Sequence, residues 1–204
     1  MSILNQIAYF QNRRDEIPNQ ELARRLAETE DRAAIQEIAQ NLWNNNPKIQ
    51  SDCLKVLYEI GYLNPDLISD YAGDFLKLLR SRDNRLVWGG MIGLSTVAAV
   101  AADAIYPHYA EIQKAMERGS VITVDGGVKT LAILASTSQE RCQEIFPYLL
   151  RHLKTCRPKD VPQHAEKIAV AVNQENRQDF IDVLQKRLED MSSSQATRIK
   201  KVIQ

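Results

Sequence analysis

Five side chains stand out as candidates for binding: Lys55, Arg85, Trp88, Asp125 and Lys129. Together they offer an indole, three cations and a carboxylate, a mixture suited to gripping another polypeptide, and of these Trp88 is the natural anchor because aromatic side chains dominate binding hot spots. Asp125 and Lys129 are four residues apart in the order that favours an ion pair on one helix face. A second pair, His152 and Cys156, is also four apart and would place two metal-ligating atoms on one side of a helix. The sequence suggests no third or fourth ligand for them, so no metal site is expected. Serine, histidine and acidic residues occur without a nucleophile elbow or any other local signature of a hydrolase. Neighbouring carboxylates such as Glu28 and Glu30, or Glu189 and Asp190, read as exposed helix charge. No glycine-rich phosphate cradle or Walker motif is found, and no cofactor is expected. No catalytic motif is present, and the balance leans away from an enzyme.

The candidates draw their significance from the elements that carry them. Asn46, Asp83, Ser120 and Asp160 are plausible helix starts at intervals of 37, 37 and 40 residues. Eight residues after each comes an apolar side chain, Leu54, Met91, Val128 or Ile168, and eleven after comes Leu57, Leu94, Leu131 or Ala171. That is one amphipathic helix written four times, and a repeat of this length signals stacked helical hairpins. The first helices of the hairpins are visible as stripes: Ile35, Ile38, Ala39 and Leu42 before Asn46, then Leu67, Ile68, Tyr71, Phe75, Leu78 and Leu79 between Asn64 and Ser81. A third runs from about Asp103 to Arg118. It carries Tyr106-Pro107, matched forty residues later by Phe146-Pro147, which argues for a bend built into the unit. In such stacks the second helices line the concave side. Positions five and nine after each cap are Ser51, Trp88, Asp125, Ala165 and Lys55, Ile92, Lys129, Ala169; these, with Arg85, supply the candidate row.

Two further regularities need an explanation. Gly89-Gly90 and Gly126-Gly127 occupy the same repeat position, although each glycine costs a helix about 1 kcal/mol relative to alanine. Close approach of neighbouring helices would account for them, as would room for a ligand. Lys77, Lys114 and Lys154 fall near the ends of successive first helices, with Arg80, Arg118 and Arg157 close by. The helix dipole favours cations there; the alternative is a basic ridge able to track a phosphate backbone.

Composition sets the outer bounds. The 204 residues are 44% hydrophobic and 25% charged, ordinary for one globular domain. Lys plus Arg and Asp plus Glu both number 26, so no overall field draws in nucleic acid or an anionic membrane; nucleic acid is possible but not favoured, and no membrane partner is expected. The weakly polar run from about Met91 to Tyr106 is too short to span a bilayer and reads as a buried helix and a turn. No basic segment precedes an apolar one at the amino end, so a cytoplasmic location is expected. Three cysteines, Cys53, Cys142 and Cys156, form no close pair, and no disulfide is expected.

The repeat resembles HEAT-type repeats over about residues 31–204, with Asp83 and Arg85 only partly matching the Asp and Arg or Lys pair of that family. The resemblance implies an all-α, right-handed α-α superhelix of about four to five hairpins, with residues 1–30 as capping helices of the same continuous domain. The interval from Ile168 to Ile199 is shorter, as a terminal unit facing water requires. The function it implies is a non-enzymatic interaction or scaffold module that binds a protein or peptide on the concave face; the sequence does not set the oligomeric state. HEAT-like repeats also form bacterial DNA glycosylases acting on alkylated bases, and Trp88, Asp125 and Arg85 are similar in kind to residues of such a cleft. Pigment-attaching lyases use such repeats too, but no residue here selects them.

Overall fold

The computed structural model describes residues 2–204, and among them all regular structure is helical. The chain divides into two compact units, residues 1–127 and 128–204, with the boundary inside one helix. In the first unit a short 3-10 turn, Ile3–Gln6, precedes α1 (Ile17–Thr29) and α2 (Arg32–Gln40). There follow α3 (Pro47–Leu63), α4 (Ala72–Leu78), α5 (Asn84–Val97), α6 (Ala102–Ile105) and α7 (Tyr109–Arg118). Helix α8 (Val121–Ser136) carries the boundary, and the second unit continues with α9 (Gln139–Thr155), α10 (Val161–Ile168), α11 (Arg177–Arg187) and α12 (Ser193–Val202).

The helix starts read from the sequence are the observed ones. Asn46 and Asp83 accept from the backbone N–H of Lys48 and Arg85, satisfying donors that the first turn leaves open. Ser120 accepts from Thr123 N at 3.4 Å. Asp160 precedes α10 without capping it by its side chain, because its carboxylate is held by Arg157 at 2.6 Å. The apolar repeat positions are the core: Met91, Val128 and Ile168 are fully buried and Leu54 nearly so, as are Leu57, Leu94 and Leu131.

Two first helices differ from the expected continuous form. Between Asn64 and Ser81 the chain makes two 3-10 turns, Pro65–Leu67 and Ser69–Tyr71, before α4 begins, and Tyr71 stays partly exposed. The segment around Pro107 is interrupted by the 3-10 turn Tyr106–His108, as a residue without a backbone donor and with a fixed φ demands. Pro147, by contrast, lies inside α9, which continues past it. The aromatic-proline recurrence therefore marks a break in only one of its two copies.

The glycine pairs are explained by packing. A Cβ on Gly89 would come within 2.5 Å of the Leu54 side chain on α3, and one on Gly90 would stand 2.9 Å from Leu78 Cβ and 3.0 Å from the Phe75 carbonyl on α4. The next pair repeats the arrangement: Gly126 faces Met91 on α5 at 3.0 Å, and Gly127 faces Met116 on α7 at 2.4 Å. The first glycine of each pair thus admits the preceding second helix and the next admits the unit's own first helix. That space is filled by neighbouring side chains, so the alternative of room for a ligand is overturned.

Candidate functional site

One face of α3 carries Lys48, Ser51, Lys55, Tyr58 and Tyr62, spaced three, four, three and four apart, which is one stripe along a helix. Arg85 and Trp88 take the corresponding places on α5, which packs on α3. At the middle of the stripe the rings gather. Tyr58 lies 6.5 Å from Trp88 and 6.2 Å from Tyr62, the second pair edge to face. Tyr58 is buried and Trp88 half-buried, while Tyr62 is exposed.

Lys55 is held in place on this stripe. Its ammonium meets Glu16 at 2.8 Å and Glu59 at 2.7 Å and stands 4.9 Å from the centre of the Tyr58 ring. Burial alone would lower its pKa, but the hydrogen bonds to the two glutamates overturn that, and the group sits above the ordinary lysine value. Burial pushes the Tyr58 phenol up to about 12, against the opposing pull of Lys55. The Tyr62 phenol is also raised, first by burial, then by Glu59, with Asp125 adding to it. Asp125 therefore belongs to the electrostatic surroundings of this cluster. Lys129, one turn further along α8, falls in the second unit.

At the amino end of the stripe the surface opens into a cleft of about 670 Å³ lined by Tyr9, Asn12, Arg13, Arg14, Lys48, Ser51, Asp52 and Arg85. Four cations face it against one carboxylate, and that carboxylate is already engaged. Asp52 accepts from Tyr9 N at 2.7 Å and from Asn19 Nδ2 at 3.0 Å, while Asn19 Oδ1 accepts from Ala8 N at 2.9 Å. Asn19 is only 1% exposed, so this network rivets the amino-terminal segment to α1 and α3. Asn12 then turns the chain with φ at 53°, a left-handed conformation that asparagine tolerates better than most residues. The turn delivers Arg13 and Arg14 to the cleft. Arg13 pairs with Asp15 at 2.9 Å, whereas the side chains of Arg14, Lys48 and Arg85 meet no carboxylate among the described residues.

Of the five residues singled out in the sequence, Lys55 and Trp88 belong to one aromatic cluster, Asp125 acts on its Tyr62 phenol electrostatically, and Arg85 reaches the adjoining cleft. Sequence reasoning passed over Tyr58 and Tyr62, which lie three and seven residues after Lys55, a spacing that would have found them. It passed over Arg14 as well, having read that segment only as a cap. The row of basic residues on the first helices is partly neutralised in the first unit: Lys77 meets Asp74 at 3.1 Å and Arg80 meets Glu111 at 2.8 Å. All three cysteines are free thiols. No helix among the described residues is long and apolar enough to cross a membrane.

The repeating pairs of helices, first against second, define a HEAT/armadillo-type helical repeat fold. No family model matches the chain, and no curated protein does. Solved structures do. An engineered protein aligns over 100% of this chain and 96% of its own, at 17% identity and a TM-score of 0.71. A designed armadillo repeat protein in complex with the peptide (KR)4 covers 100% of both chains at 15% identity and a TM-score of 0.68. Kap121p is similar over 98% of this chain and 22% of its own, at 16% identity and a TM-score of 0.65, and one such structure is bound to Pho4p. Identities this low establish the fold alone.

Proposed function

We propose that this chain is a non-enzymatic protein-interaction module whose first unit binds an acidic peptide segment along the second helices α3 and α5. Acidic side chains of the partner would enter the cleft at Arg14, Lys48 and Arg85, and an apolar residue would rest on Trp88 and Tyr62. One observation carries the reading. Lys48 and Arg85 stand in the first turns of α3 and α5, where the helix dipole disfavours a cation, and no carboxylate of the described residues offsets either. Elsewhere in the unit Arg13, Lys55, Lys77 and Arg80 are paired, while Arg32, which opens α2 and meets no carboxylate among the described residues, does not line the cleft. Cations kept in an unfavourable place without partners are suited to partners supplied by another molecule. Structural neighbours bound to a peptide and to a protein support the use of this fold in that way, although the (KR)4 peptide has the opposite charge to the one proposed here.

The DNA-glycosylase alternative gains no such support, since the cleft beside Arg85 is lined by neither Trp88 nor Asp125. Fluorescence anisotropy with a labelled acidic peptide, a (KR)4 peptide and a DNA duplex decides between them. The acidic peptide should bind, weaken with salt and be lost in Trp88→Ala combined with Arg85→Glu. Binding of the duplex without the acidic peptide, or release of alkylated purines from DNA, would overturn the proposal.

A further inference from the structure

The second unit brings together three ligating side chains that the sequence shows only as two. His152 lies near the end of α9, Cys156 is the residue that closes that helix, and His164 comes from α10, the next helix of the chain. One ligating atom from each, two imidazole nitrogens and a thiol sulfur, lies within 4.8 Å of the others. His152 Nε2 and His164 Nδ1 are 2.9 Å apart, and their rings are 4.8 Å between centres. From this geometry we infer that His152, Cys156 and His164 form a binding site for Zn2+, with the fourth position open to water.

The chemistry of the set fits that ion. Imidazole and thiolate are its preferred donors, and three protein ligands with one open position are a known zinc arrangement. With Zn–N of about 2.0–2.1 Å and Zn–S of about 2.3 Å, tetrahedral geometry needs the two nitrogens roughly 3.3 Å apart and sulfur roughly 3.5 Å from each. The nitrogens would part by about 0.4 Å and the sulfur would close in, shifts within the reach of side-chain torsions. In the metal-free state one ring donates its N–H to the other. On binding, that ring shifts its proton to its other nitrogen, both facing nitrogens offer lone pairs, and the thiol proton leaves to solvent.

The backbone around the site is fixed by Arg187, 8% exposed, which donates to the carbonyls of Leu153 and Cys156. Its guanidinium holds the turn that presents Cys156. The interval from α9 to α10 is closed by the 2.6 Å pair of Arg157 and Asp160. A structural histidine pair with an incidental cysteine would show the same hydrogen bond, so the test must read the metal itself.

The untagged full chain, freed of metal by chelation and kept reduced, is titrated with Co2+ and then Zn2+. One equivalent of Co2+ should give the visible bands of a four-coordinate site and a thiolate-to-cobalt charge-transfer band, both abolished when Zn2+ displaces it. Cys156→Ser should remove the charge-transfer band and weaken Zn2+ binding roughly tenfold or more, and His152→Gln should weaken it similarly, with circular dichroism unchanged. Cys53→Ala should leave binding as it was. A spectrum without the charge-transfer band, or a Zn2+ affinity that Cys156→Ser does not alter, would overturn the site.

Discussion

The second helices of the two units solve the same packing problem with different side chains. In the first unit α3 and α5 run for 17 and 14 residues, begin with side-chain caps, and, through Gly89 and Gly90, lie close to their neighbours over apolar contacts. Their charged groups are consigned to the outer stripe, where two cations, Lys48 and Arg85, meet no carboxylate among the described residues. In the second unit α10 is 8 residues long, starts without a side-chain cap and buries His164. Its neighbour α11 buries Arg187. The lesson is one of allocation. In the first unit the buried polar groups are small and neutral, Asn19, Ser95 and Thr123, and the outward face is free to specialise; in the second, an imidazole and a guanidinium enter the interior and must find partners there.

If that contrast is right, the largest single-residue loss should come from the second unit. Arg187→Met strands the buried carbonyl of Leu153 and removes the donor to the part-buried carbonyl of Cys156, and should cost about 3 kcal/mol in urea unfolding. Hydrogen exchange should show the loss at α9 and α11 before any other helix. Next comes Gly90→Val, which drives a branched side chain against Leu78 and the Phe75 carbonyl; about 2 kcal/mol is expected, read from the same denaturation curves. The amide exchange of α4 and α5 should quicken. Asp52→Ala should cost about 1–2 kcal/mol by orphaning the Asn19 amide and the Tyr9 N–H. Because this frees the loop that carries Arg14, it should also weaken acidic-peptide binding several-fold.

The smallest effect expected is at Glu166, whose carboxyl is held below its ordinary range chiefly by the hydrogen bonds from Arg198. A depressed carboxylate pKa means stability that is present above the unfolded value and is lost as the pH falls through the folded one. Both side chains are well exposed, so Arg198→Ala should cost under about 1 kcal/mol at pH 7 and nothing at pH 2. A loss of equal size at both pH values would assign the role to packing of the arginine stem.

Much of the architecture was legible because the repeat depends on two simple rules, a cap at each start and burial at fixed offsets. Leu54, Met91, Val128 and Ile168 obey both. The 3-10 turns before α4 were not legible, since the apolar spacing of Leu67, Ile68 and Tyr71 is compatible with either helix type. The differing fates of Pro107 and Pro147 were hidden for a related reason: the proline's local cost is the same, and tertiary packing decides whether the helix resumes its register. The candidate row was half visible. Trp88 and Arg85 emerge from the repeat offsets, but the commitment of Lys55 to Glu16, the residue that precedes α1 and lies 39 residues earlier in the chain, is one that no local pattern reveals. The third ligand beside His152 and Cys156 was missed on the same ground, because His164 comes from a different helix.

The double variant Lys48→Glu, Arg85→Glu tests the central claim most directly, with stability and acidic-peptide affinity measured on the same preparation. Replacing cations by anions in the first turns of α3 and α5 should stabilise the fold by about 0.3–1 kcal/mol at each position, as the dipole prefers, while binding of the acidic peptide is abolished. A variant that is destabilised, or that binds the acidic peptide as well as the parent chain, would contradict the account.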